Sequence, residues 1–92
     1  MSNTTIWKFP LQSVAVQTIE LPAGFDILTV QVQNGAPCLW AAVDPDAQKT
    51  RAQIRIIGTG HDVPTPALDR YIGTFQLHDG ARVFHVFGGE WV

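Results

Sequence analysis

The chain has very few of the side chains that nucleophilic catalysis uses. Its 92 residues include one cysteine, Cys38, and two serines, Ser2 and Ser13. A lone cysteine forms no internal disulfide, so the fold must stand on its core. Cys38 follows Pro37 at a strand start and reads as a small apolar core residue. With so few serines, a Ser-His-Asp triad has almost no nucleophile to build on. Charge is also scarce. Charged residues make up 15% and the net charge is −2, against about 25% charged residues in average domains. There is no basic stripe, which argues against duplex nucleic acid as a partner. No apolar run approaches the roughly 18 residues that a membrane span needs. The opening MSNTTIWKFP lacks a basic patch followed by an apolar stretch, so no secretory leader is expected. No amphipathic helix and no internal repeat stand out.

What is present is apolar and β-forming. The hydrophobic fraction is 46%, which fits a packed domain and excludes disorder. At this length one domain is expected, spanning 1–92, with a β core over 5–87, a main loop over 58–70 and a tail over 88–92.

Strand signals follow one another along the chain. TIWKF (5–9) stops at Pro10, and VAVQTIEL (14–21) stops at Pro22, the punctuation expected of strands. DILTVQVQN (26–34) alternates most clearly: Leu28, Val30 and Val32 on one face, Thr29, Gln31 and Gln33 on a wet one. Asn34-Gly35 then predicts a hairpin, which Pro37 is expected to widen. CLWAAV (38–43) is continuously apolar, which places Trp40 in the core. Asp44-Pro45-Asp46-Ala47 predicts a turn, and the two carboxylates are expected to cap it. In TRAQIRIIG (50–58), Ala52, Ile54 and Ile56 alternate with Arg51, Gln53 and Arg55. YIGTFQL (71–77), a hairpin at His78-Asp79-Gly80 and ARVFHVF (81–87) complete the series. Gly88-Gly89 is expected to free a tail ending in Trp91-Val92. The fold class is therefore all-β: a small antiparallel β-sandwich or partly open barrel of about seven strands.

The longest segment without a strand pattern is 58–70, with a short helical turn expected near Pro66–Asp69. Long loops on rigid sheets are common sites of function. Gly58-Thr59-Gly60-His61-Asp62 could present backbone N–H groups to an anion. It lacks the spacing and the Lys-Ser/Thr of a P-loop, and a plain turn is the readier explanation of the glycines. Three histidines, His61, His78 and His85, have no short ligand spacing, so no metal and no cofactor is expected. His85, on a strand, is expected to be buried and hydrogen-bonded.

Several segments together resemble a family. QVQNGAPCLWA (31–41), IIGTGHDVP (56–64), YIGTFQ (71–76) and FHVF (84–87), with WKFPL and the ELP of 20–22, are similar to small proteins of tailed bacteriophages and prophages. The resemblance covers residues 6–88. It carries no catalytic residue and no established biochemical role. It implies a phage accessory protein made in the bacterial host cytoplasm.

The function expected on these grounds is non-enzymatic. The leading expectation is a binding protein that antagonises a host defence, as an oligomeric sponge for a nucleotide-type signal. Gly58, Thr59, Gly60, His61 and Asp62 would meet its phosphate together with Arg55 or Arg70, and Tyr71 or Trp40 would stack on its base. A second expectation is an inhibitor that binds a host protein through a strand edge or the C-terminal tail, with Trp91, Val92 and Trp7 as anchors. A third is a minor virion or assembly component. The low charge and the aromatics favour a homo-oligomer.

Overall fold

The computed structural model describes residues 3–64 and 70–91, with side chains as far as Gly88. Seven strands follow in order: β1 (Thr5–Pro10), β2 (Val16–Pro22), β3 (Asp26–Gln33), β4 (Ala36–Val43), β5 (Lys49–Gly58), β6 (Tyr71–Leu77) and β7 (Arg82–Trp91). They form two antiparallel sheets, ordered β1-β4-β3 and β2-β5-β7-β6. The sheets face each other as a sandwich and do not close into a barrel. There is no α-helix among the described residues. The turn of helix expected at Pro66–Asp69 falls largely on 65–69, which lie outside the described residues.

The core follows the period-two pattern. Ala52 and Ile54 of β5 are fully buried, as alternation requires. Facing them from the other sheet are Leu39, Ala41 and Val43 of β4. Leu21, Pro22 and Val86 are fully buried as well.

Four features depart from the sequence expectation. In β3 the register slips between Ile27 and Thr29. This bulge leaves Leu28 unpaired and 47% exposed, whereas Ile27 stands opposite Ala41 and Val30 opposite Leu39. Leu28 therefore points out of the sandwich, and of the expected buried row only Val30 is buried; Val32 is exposed. Trp40 is also not core. It alternates with the buried Leu39 and Ala41, so it lies half-buried on the outer face of β4. Trp7 shows the reverse: it packs against the core, with Lys49 Nζ 4.7 Å from its ring centroid, and is no free anchor.

The fourth departure is the tail. Beyond Gly88 the chain stays in the sheet, with Glu90 opposite Gln53 and Trp91 opposite Ala52. Residue 92 lies outside the described residues. The Asn34-Gly35 turn stays at two residues, with φ of 53° and 80°, because positive φ at both positions matches the strand twist of a tight hairpin. Pro37 does not widen the turn, and its carbonyl still accepts the Leu11 N–H at 2.9 Å. The Asp44 turn forms, but of its two carboxylates only Asp44 caps it among the described residues: its Oδ1 accepts the Asp46 N–H at 3.0 Å.

Candidate functional site

One end of the four-stranded sheet opens into a groove of about 710 Å³. Antiparallel pairing assembles it from the start of β2, the end of β5, the end of β6 and the start of β7. Pro37 reaches it from the other sheet. Its floor is apolar: Ile56, Phe75, Leu77 and Phe84. Phe75 and Phe84 stack with centroids 5.4 Å apart at 28°. Val14, Ala15 and Val16 form one lip, and Val14 and Val16 are both 44% exposed. The polar margin comprises Arg55, His61, Asp62, His78 and Arg82.

The 58–62 loop shapes this margin. The His61 N–H donates to the Gly58 carbonyl at 3.1 Å and closes a tight turn. The His61 ring then lies over Gly58: a β-carbon there would stand 3.2 Å from His61 Cδ2 and 3.9 Å from Phe84 Cδ1. Gly58 is thus the seat of His61, and the missing side chain is what admits the ring. The turn reading and the site reading of this loop describe one geometry.

The candidate residues divide among three places. Arg55, Gly58, His61 and Asp62 come together at the groove. Arg70 and Tyr71 instead line a smaller, polar hollow with Phe25, Asp26 and Ile27, by the start of β6. Trp40 lies on the outer face of the three-stranded sheet. Gly60 is exposed with φ of 92°. The residues that sequence reasoning missed are Arg82, His78 and the Phe75–Phe84 floor. Reading Arg82, Phe84 and Val86 as one face of the last strand would have brought Arg82 to the groove.

Thr59 serves a different structure. On the outer face of the four-stranded sheet, Tyr71 Oη lies 2.5 Å from Thr74 Oγ1, and Thr74 Oγ1 lies 3.0 Å from His85 Nδ1. His85 Nε2 lies 2.7 Å from Thr59 Oγ1, which donates to the Val83 carbonyl at 3.4 Å. In the neutral imidazole one of these two nitrogens donates and the other accepts, and both hydroxyls can take either part. His85 is accordingly hydrogen-bonded at both nitrogens, though half-buried rather than fully buried. His61 and Asp62 border the groove, whereas His85 is held by Thr59 and Thr74. No group of three or more His, Cys, Asp or Glu residues able to hold a metal ion occurs among the described residues. Nor is any helix there long and apolar enough to cross a membrane.

The fold and site define a small all-β sandwich with an apolar groove edged by cationic side chains. The chain belongs to the family described as domain of unknown function (DUF7352), whose model matches residues 2–91. No curated protein and no solved structure matches it.

Proposed function

We propose that this domain is a non-enzymatic binding protein and that the end groove holds a small anion with a flat apolar part, of which a nucleotide is the type. The observation that carries the reading is the groove's composition. Two arginines and two histidines border it, against one acid, in a chain of net charge −2. Arg82 and Arg55 supply guanidinium donors for phosphate. Phe84 and Leu77 offer the apolar surface for a base. This differs from the sequence expectation in its stacking partner, since Trp40 and Tyr71 lie elsewhere. In the phage setting that the sequence resemblance implies, such a protein sequesters a host signal and so antagonises a host defence.

The test is thermal unfolding against a panel of cyclic and linear nucleotides. A ligand at about 100 times its Kd stabilises the folded state by about 2.7 kcal/mol. A rise in Tm for at least one member, lost in Arg82→Ala, supports the reading. No shift across the panel overturns the nucleotide assignment.

A further inference from the structure

The polar groups of the end groove are gathered towards one end of it. Along β7, Arg82, Phe84 and Val86 share the inner face, and Val86 is fully buried. The strand register orders the rest. Arg82 stands opposite Leu77, the residue before His78. Phe84 stands opposite Phe75 and Gly58, and the His61 ring lies over Gly58. Val86 stands opposite Ile56. Arg82, His78, His61 and Asp62 therefore edge the groove at the β6–β7 hairpin end, and the floor from Phe84 to Ile56 is apolar. Arg82 and Val86 are four residues apart, about 13 Å of strand. Arg55 lies beyond this run. It stands opposite Phe87 and Val16, and alternation with the buried Ile54 sets it on the outer face. It meets the groove at the β2 lip.

We infer that the ligand is a nucleoside monophosphate, laid along the strands with its phosphate at the Arg82 end and its base over Phe84. The inference rests on the groove reading above and narrows it by position and by charge. In a dinucleotide the phosphates lie between two nucleosides. Laid in this groove, they would fall over Phe75, Phe84 and Ile56, whose side chains offer no donor, and an unpaired charge against apolar surface is costly. A terminal phosphate instead reaches Arg82, which can meet two of its oxygens at once. Charge then limits how many phosphates this end takes. It holds one guanidinium, two imidazoles and one carboxylate, that of Asp62. A triphosphate brings more negative charge than this set pairs, and Asp62 adds to the repulsion. Phe75 is buried and Phe84 half-buried, so the open ring surface for the base belongs to Phe84. The terminal phosphate thus falls to Arg82, and Arg55 faces the other end of the ligand.

Isothermal titration calorimetry tests it, with the four ribonucleoside monophosphates set against their nucleosides, their triphosphates, cyclic di-AMP and cyclic di-GMP. A monophosphate is expected to bind most tightly, about 10-fold or more above its own nucleoside, the worth of a hydrogen bond to a charged group. Arg82→Gln should bring the monophosphate down to the affinity of the nucleoside. Arg82 is exposed, and circular dichroism reports whether the variant keeps the fold. The ranking of ligands on the unaltered chain decides the matter even if it does not. A triphosphate or cyclic dinucleotide that binds more tightly than every monophosphate overturns the inference and leaves the groove reading standing. A phosphate preference that survives in folded Arg82→Gln does the same. No binding by any nucleotide overturns both.

Discussion

Gly73 of β6 faces Val30 of β3 across the sandwich, so closely that a β-carbon on Gly73 would stand 2.9 Å from Val30 Cγ1. The two strands belong to different sheets, and this is where the sheets approach at one side. Gly73→Ala is therefore an overpacking change, with an expected cost of about 1–3 kcal/mol. Chemical denaturation measures it. Adding Val30→Ala should recover part of the Gly73→Ala loss, because the two residues share one volume. Strict additivity of the two changes would show that the sheets relax apart instead.

Gly88 is more constrained. It sits in the β5–β7 register slip with φ of 127°, and a β-carbon there would stand 2.2 Å from the Gln53 carbonyl oxygen. That neighbour is backbone in a paired strand and cannot swing aside. Gly88→Ala is expected to cost more than about 3 kcal/mol, the scale of a severe backbone conflict. The outcome should be a large loss of Tm or no folded protein. A near-wild-type melting curve would show that β7 can end at this residue.

The direction of the Tyr71–Thr74–His85–Thr59 chain turns on the Thr59 proton. With that proton on the Val83 carbonyl, imidazole nitrogen NMR is expected to find the ring proton of the neutral imidazole on Nε2. Thr59→Val removes that acceptor and should cost about 0.5–1.5 kcal/mol. It should also raise amide exchange at His61, whose N–H closes the adjoining turn. A spectrum showing the proton on Nδ1 would reverse the whole chain of donors.

The strands were largely legible because their residues obey simple alternation between turns with strong local chemistry. Ala52 and Ile54 in β5 were readable for that reason, as was the Asn34-Gly35 reversal. What was not legible depended on neighbours. Nothing local says that β3 slips after Ile27, so Leu28 was assigned to the wrong face. Trp40 was misplaced because CLWAAV is apolar on both faces, and a continuous run has no phase from which to choose. The groove was half legible. His61, Asp62, Gly58 and Arg55 lie close in sequence, whereas Arg82 and Phe84 join them only through the β5–β7 and β6–β7 pairings. Tyr71 and Thr59 were expected at a ligand and instead hold His85, a role set by cross-strand geometry.

The order of the strands also bears on how the chain is made. Each sheet has one hairpin of consecutive strands, β3-β4 and β6-β7. β1 and β2 leave the ribosome first, yet their partners are β4 and β5. β7 lies between β5 and β6, so the four-stranded sheet lacks an interior member until residues near Trp91 are joined. At roughly 5–20 residues per second, β5 therefore waits about a second or more with an open edge before β7 can join it. The four-stranded sheet is consequently completed from its middle, by the insertion of β7 between strands made before it.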